Sequence, residues 1–350
     1  MRPASREPVM PTPKMTAEKM AQAQAALERN GGNVSRASQE LGIPRGTLQC
    51  RLRAANLQRV QVDKIVSVAP APDPNEPLAE LIARKRLGLA RQQAHEKWAS
   101  LIDVQVNDPG PIGLLLVGDP HVDDDGCDIG RLEDDLSTVG RTKGMYAGHV
   151  GDLTNNWVGR LARLYAHQST TFSDGLRLTE WMLGLAPNLF VVNGNHDLWN
   201  QGGDLLRFIV SAGAHQSHGA RLALRWPSGK EVRLHARHDF PGKSQFSDTH
   251  GMKREILFGH RDHILVAGHT HVDEARIEPS LEGDVHWFFR VSGYKVMDEY
   301  AKEHRFRPKR LAPSVALVIQ PDAKPAEVVK PFWCVEAAAD WLTFLRKRRA

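Results

Sequence analysis

The chain is short of everything that would tie it to a membrane or to an oxidising compartment. Its 350 residues include three cysteines, Cys50, Cys127 and Cys334. An odd and widely spaced set makes no disulfide framework, so reduced thiols are expected. No apolar run approaches the ~18–20 residues of a membrane span, and no membrane partner is expected. Arg2 and Arg6 are followed by no apolar stretch, which predicts no cleaved leader and a cytoplasmic protein. Aromatics are few at 7%, but 41% hydrophobic and 25% charged residues are what a folded, water-exposed protein contains, and the length suggests two domains. The net charge of +5 is uneven: residues 1–100 hold 16 Lys and Arg against 9 Asp and Glu, the remainder 30 against 32. Basic charge gathered at one end points to a polyanion-binding module joined to something else.

Residues 1–13, rich in Pro and small side chains, are expected to be disordered. A helical pattern runs from Thr16 to Glu28 and stops at Asn30-Gly31-Gly32. Asn33 can cap a second helix carrying Val34, Ala37 and Leu41 on one stripe. Gly42 supplies a tight turn, and Pro44 suits the first turn of a third helix with Leu48 and Leu52 on its buried face. Two short helices about a glycine turn, the second rich in Arg, form a helix-turn-helix pattern. The run Asn30 to Leu52, through Leu41-Gly42-Ile43 and Arg45-Gly46-Thr47-Leu48, resembles the Fis-type helix-turn-helix, also found in nitrogen-regulator activators. That resemblance implies DNA as partner, with Arg45 and Thr47 in the major groove, where Arg can fork onto guanine. Arg51 and Arg53 would contact phosphates, and Gln49 lies on the same face. Gln49 and Cys50 stand where the family is usually basic, which implies weaker affinity. A three-helix bundle used for protein contacts is the alternative.

Val68 to Pro77 holds four prolines in ten residues and reads as a semi-rigid spacer. A long helix is expected from Leu78 to Ser100, docked on the next domain or lying along DNA. The expected organisation is therefore 1–13 disordered, 14–60 helix-turn-helix, 61–107 spacer and connecting helix, and 108–350 a catalytic domain.

In that last region one pattern repeats five times: an apolar strand followed by Asp, His or Asn at its C-terminal end. Ile112–Val117 leads to Gly118-Asp119-Pro120-His121. Ala147-Gly148-His149-Val150 leads to Gly151-Asp152. Leu189–Val192 leads to Asn193-Gly194-Asn195-His196-Asp197. Glu231–His238 leads to Asp239-Phe240-Pro241, and Ile264–Ala267 to Gly268-His269-Thr270-His271. Carboxylates with imidazoles suit Mn, Fe or Zn. His269 and His271, two apart, would place both rings on one side of a strand. Glycine before a ligand lets backbone approach the ion.

This order of motifs resembles the calcineurin-like metallophosphoesterase superfamily over about residues 110–320. The resemblance implies an α/β fold of two packed mixed β-sheets flanked by helices, with two divalent metal ions at the strand ends, Mn first and Fe or Zn as alternatives. It places Asp119, His121 and His271 on one ion, Asp152 as the bridge, and Asn195, His238 and His269 on the other. His196 would contact the phosphate and help the leaving group, with Asp152 and His196 the catalytic pair. Two ions about 3.5–4 Å apart acidify a water and stabilise an in-line displacement. Where many relatives carry a second Asp, three residues after the Gly-Asp motif, this chain has Asn155; that Asp orients the catalytic His, so an acid role for His196 is in question. His235 is the runner-up to His238, and as residues three apart they lie on opposite faces of a regular strand.

Trp157, Arg160, Arg163, Tyr165, His167 and Trp181, with Lys243, Ser244, His250 and Lys253, could hold nucleic-acid backbone and bases or form ordinary core and rim. Trp287, Phe288 and Phe289 are expected in the core, Val315–Ile319 to close a sheet, and a C-terminal helix over Val335–Arg349 to end in basic residues. The expectation is a phosphodiesterase or nuclease acting on DNA, of bacterial or bacteriophage type. A phosphomonoesterase tethered to DNA and a non-catalytic regulator are the rivals. Oligomeric state is left open. Replacing Arg45 by Ala should weaken DNA binding by about 1–3 kcal/mol and leave turnover of a small diester intact, as read by electrophoretic or anisotropy titration beside a chromogenic assay.

Overall fold

The computed structural model describes residues 15–59, 75–199, 204–210, 213–280, 283–296 and 311–348. The expected disordered segment 1–13 and residues 68–74 of the Pro-rich spacer lie outside the described residues. The chain divides into two compact units, Met1–Leu81 and Ile82–Ala350.

The smaller unit contains helices α1 (Ala17–Arg29), α2 (Val34–Glu40) and α3 (Arg45–Arg59). The local chemistry sets each end. Thr16 caps α1, and Asn33 Oδ1 accepts from the backbone N–H groups of Ser35 and Arg36 at 3.0 and 3.1 Å, opening α2. Gly31, Gly32 and Gly42 take positive φ at the two turns. Pro44 stands just before α3 rather than inside its first turn. A small core of Ala23, Ala26, Ala37 and Leu48, with Val34, Leu41 and Leu52 against it, holds the three helices together.

The helix α4 (Leu78–Ala99) has no buried residue. After it come β1 (Ile102–Gln105), β2 (Ile112–Val117), α5 (Ile129–Arg141), β3 (Met145–His149), a 3-10 segment at Gly159–His167, α6 (Phe172–Gly184) and β4 (Asn188–Val192). Short helices α7 (Asn195–Leu198) and α8 (Leu206–Ile209) precede β5 (Ala214–Gln216), β6 (Ala220–Arg225) and β7 (Glu231–Ala236). Then follow α9 (His250–Phe258), β8 (Ile264–Ala267), β9 (Glu274–Pro279), β10 (Val285–Arg290), β11 (Val315–Ile319), β12 (Val329–Phe332) and α10 (Val335–Lys347).

The strands form two mixed six-stranded sheets, ordered β12-β11-β2-β3-β4-β5 and β1-β6-β7-β8-β10-β9. Their facing sides share one core: Leu114 and Leu116 of β2 and Leu317 of β11 belong with Leu234 of β7, Val266 of β8, and Trp287 and Phe289 of β10. The opposite side of β2, Leu115 and Val117, meets the apolar stripe Leu132, Leu136 and Val139 of α5 and Leu342 of α10. On the outer face of the other sheet, Leu265, Ala267 and Phe288 pack with Phe240, and with Met252 and Ile256 of α9. This is why β2 reads as an unbroken apolar run: both its faces are covered.

One expectation changes. β11 does not close a sheet but lies inside one, antiparallel to both β12 and β2. In the C-terminal helix Arg346 is tied down structurally, pairing with Asp108 and donating to the Pro111 carbonyl at 2.9 Å. Because Leu114 is fully buried between the sheets, Leu114→Ala should cost about 2–5 kcal/mol in equilibrium denaturant unfolding.

Candidate metal centre

β2, β3 and β4 run parallel, so their C-terminal ends finish at one edge, and parallel β7 and β8 of the second sheet end there too. The chain leaves β2, β3 and β8 through left-handed backbone. Among the described residues six non-glycine residues have positive φ: Asp119 (46°), His121 (42°), Asp152 (53°), Asn156 (38°), His269 (71°) and His271 (52°). Such conformations are uncommon and persist where the surroundings over-determine them. Five of the six belong to the metal set read from the sequence.

These turns bring the side chains into three overlapping groups. The ligand atoms of Asp119, His121 and His271 all lie within 4.8 Å of one another, as do those of His121, Asp152 and His196, and those of Asp152, His238 and His269. His238 Nε2 is 3.2 Å from Asp152 Oδ2 and 3.0 Å from Asn195 Oδ1 and from His269 Nδ1. His238 Nδ1 meets the Val150 carbonyl at 2.8 Å, which turns Nε2 toward the cluster. His269 N–H donates to Asp119 Oδ2 at 2.7 Å, and His196 N–H to Asp152 Oδ1 at 2.9 Å. Two glycines make room for the carboxylates. A Cβ at Gly268 would lie 2.1 Å from Asp119 Oδ2, and one at Gly194 2.0 Å from Asp152 Oδ1.

The donor set fits divalent cations. Asp119 Oδ1 and His121 Nδ1 are buried with no hydrogen-bond partner in the protein, an expensive arrangement for such groups unless a cation answers them. Burial, then the neighbouring Asp152, push the Asp119 carboxyl up to about 7, against the pull of His238. His121 is held well below its ordinary value by burial first, then by Lys295 and His196. Burial would raise Asp152, but His238 and His196 override it and bring it down to about 2. Burial would likewise lower His238, and Asp152 with Asp119 lifts it to about 10. The ring beside Asp152 thus carries, as a proton, positive charge at a place where carboxylates converge.

His196 stands among rings: His121 at 5.0 Å, Trp157 at 5.2 Å and Trp199 at 4.0 Å between centroids. Its Nε2 is 3.8 Å from Asp152 Oδ2. Its Nδ1 meets the backbone carbonyl of Asn155. A carbonyl only accepts, so Nδ1 carries the proton and Nε2 is the end facing Asp152. Orientation of this ring comes from the main chain of residue 155, whereas the sequence pattern drew attention to its side chain.

His235 lies on the other face of β7, with Phe240 at 5.0 Å and Glu255 and Asp262 at 3.7 and 3.8 Å, outside the three groups. His269 and His271 do not share a strand face: β8 ends at Ala267, and the two rings enter different groups through left-handed turns. Trp157 lies beside the cluster, while Trp181 packs against the core behind it.

Several contributors have roles that the sequence motifs do not assign. Asp197, the last residue of the Gly-Asn-His-Asp turn, accepts from the N–H groups of Asp152 (2.8 Å), Leu153 (3.1 Å) and Gly194 (2.7 Å). Burial, then Asp152, raise its pKa to about 7. Arg290 reaches from β10 to Thr270 Oγ1 at 3.1 Å and to Asp239 at 2.8 Å, and it also donates to the Gly268 carbonyl. Lys295, buried, pairs with Asp124 at 2.9 Å and lies 5.3 Å over the Trp157 ring. A buried Arg, Lys and Asp mark such roles, but only once burial is known.

In the smaller unit Arg45, Thr47, Gln49 and Arg53 are exposed and Arg51 is half-buried, while Leu48 is in the core. Residues 24–54 match the family described as Bacterial regulatory protein, Fis family. No curated protein sequence matches the chain. Among solved structures it is similar to a predicted phosphoesterase from Streptococcus pneumoniae TIGR4, with 13% identity, TM-score 0.30, and 64% of this chain and 98% of that one covered. It is similar also to Vps29 of Entamoeba histolytica complexed with zinc, with 15% identity, TM-score 0.30, and 63% and 97% covered. Vps29 of Chaetomium thermophilum gives 13%, 0.33, and 63% and 91%. The two mixed sheets and the Asp/His motifs resemble the calcineurin-like metallophosphoesterases, and the N-terminal helices a Fis-type helix-turn-helix.

Asp197→Asn would set an amide NH2 against at least one of three backbone N–H groups. A loss of about 1–3 kcal/mol in denaturant unfolding is expected, together with weaker Mn binding in calorimetric titration.

Proposed function

We propose that the larger unit is a metal-dependent phosphoesterase that hydrolyses phosphodiesters, and that DNA, gripped by the N-terminal helix-turn-helix, is its substrate. In this reading 14–60 is the DNA-binding domain, 61–107 spacer and connecting helix, and 108–350 the catalytic domain, in a cytoplasmic protein. Among the described residues no helix is long and apolar enough to cross a membrane. The observation that carries the proposal is the sharing of Asp152 and His121 between neighbouring groups of ligand atoms, an arrangement suited to two cations side by side. Asp119, His121 and His271 would hold one, Asn195, His238 and His269 the other, with Asp152 between; Mn suits the donors, with Fe or Zn as alternatives. Such a pair would supply Lewis-acid charge to the phosphoryl oxygens and lower the pKa of the attacking water.

The rest falls to the chain. Asp152, held by the His196 N–H and by His238, keeps its oxygens between the two groups. His196 presents Nε2 beside Asp152, placed to exchange a proton with an ester oxygen. Arg290 braces the turn bearing His269 and His271 by its bonds to Gly268 and Thr270. The exposed Arg45, Thr47, Gln49 and Arg53, with Arg51, supply base and phosphate contacts.

The test is hydrolysis of a chromogenic phosphodiester, and of linear and circular DNA, by purified protein with added Mn. Wild type should cleave both and Asp152→Ala neither. Turnover of a monoester alone would favour a phosphatase tethered to DNA. Mn and DNA binding without turnover would favour a regulator. His196→Ala should lower kcat by about 10²–10⁴-fold with Mn content unchanged by elemental analysis.

A further inference from the structure

The geometry points to Asn155 as a positioning residue: we propose that its side-chain amide acts as a hydrogen-bond donor that locks the 155 carbonyl onto His196, and that an acid cannot replace it. The inference rests on the phosphoesterase reading for its kinetic consequence, though not for its structural one.

The logic begins at Trp157. An indole N–H can only donate, and Trp157 Nε1 lies 3.1 Å from Gln168 Oε1. That contact fixes which way the Gln168 amide points. Its Nε2 then donates to Asp123 Oδ2 at 3.2 Å and to Thr170 Oγ1 at 2.8 Å. With Oε1 of Gln168 turned inward, whatever stands at residue 155 meets an acceptor. It meets a second in Asp124 Oδ2, which Lys295 holds at 2.9 Å. Asn155 Nδ2 answers both, at 3.0 Å and 2.7 Å respectively. The same residue's N–H donates to Asp123 Oδ1 at 2.7 Å. Its Oδ1 accepts nothing from the protein, so the position uses the donor end of the amide.

Residue 155 is therefore clamped through its N–H and its side chain, and its carbonyl, one bond beyond the Cα they share, meets His196 Nδ1. A neighbouring bond keeps the far side in place: Asn156 Nδ2 donates to the His196 carbonyl at 2.7 Å. An Asp at 155 would bring a third carboxylate against Asp123 and Asp124, and would offer no proton to either Gln168 Oε1 or Asp124. In this chain the Asp found here in many proteins of similar motif order would loosen the imidazole that it orients elsewhere.

The experiment compares wild type, Asn155→Asp, and the exchange Asn155→Asp with Asp124→Asn, which restores one donor facing one acceptor and leaves Lys295 a carboxylate nearby. Asn155→Asp should lower kcat about 10–100-fold, with KM and Mn content unchanged. The exchange should recover most of that loss. A second variant, Gln168→Glu, leaves residue 155 untouched and sets a carboxylate against Asp123 Oδ2; it should lower kcat in the same way and guards against misfolding of the first. A readout independent of turnover is the nitrogen NMR spectrum of the histidine rings, with His196 assigned by its loss in His196→Ala. Wild type should show the Nδ1-protonated form, Asn155→Asp a mixture, and the exchange a return. Wild-type kcat in Asn155→Asp, an exchange no better than the single variant, or an unchanged His196 ring form in Asn155→Asp would each overturn the inference. Absence of turnover in wild type would count against the phosphoesterase reading alone, and the ring spectra would still decide this one.

Discussion

One buried carboxylate holds the centre of this protein together. Asp197 takes three backbone N–H groups, two from the turn after β3 and one from the turn after β4. It holds the N–H side of the Asp152 turn, strained at a φ of 53°, while the carbonyls of Gly151, Asp152 and Leu153 accept from the Asp119, His121 and Val122 N–H groups. The bond is also why Gly194 must be glycine, since the two turns are drawn so close that a Cβ would strike Asp152. Placement of the whole ligand cluster follows from that approach, because Asp152 belongs to two of its three groups.

Charge balance is the second constraint. Asp119, Asp152 and Asp197 converge in a region almost closed to water, and burial alone would force protons onto all of them. The protein answers with imidazoles, above all His238, and with buried Arg290 and Lys295 at the margins. A polar interior so rich in mutually opposed groups contributes little to folding on its own. The apolar core between the sheets and the helix-covered layer outside carry that burden.

Much of this was legible because local chemistry and global fold agree. The continuous apolar runs at Ile112–Val117 and Ile264–Ala267 are strands since both their faces are covered, and the Asp, His and Asn residues behind them gather because the strands that lead to them are parallel within each sheet. The apolar spacing, the Asn33 cap and the glycine turns gave the small helical unit in the same way. What could not be read depended on partners far along the chain. Nothing near Asp197 announces three N–H donors, and nothing near Lys295 announces Asp124. Val315–Ile319 was expected to close a sheet, yet β12 pairs beyond it. His269 and His271 were placed by strand spacing, whereas left-handed turns aim them. The sequence pattern points to the side chain of residue 155 as what orients His196, whereas the Asn155 carbonyl takes that part and the side chain donates elsewhere.

The cluster draws on both sheets: Asp119, His121, Asp152, Asn195 and His196 follow strands of one, His238, His269 and His271 strands of the other. On a ribosome these two halves emerge at different times. A nascent chain that has reached β6 holds every acidic donor of the centre but none of the three later imidazoles. Nor can the first sheet be complete, since β11, which pairs with β2, and β12, which pairs beyond it, come still later. The chemistry of this protein is therefore a property of the finished chain, since its donors follow strands of both sheets and the first sheet needs the last two strands to be whole.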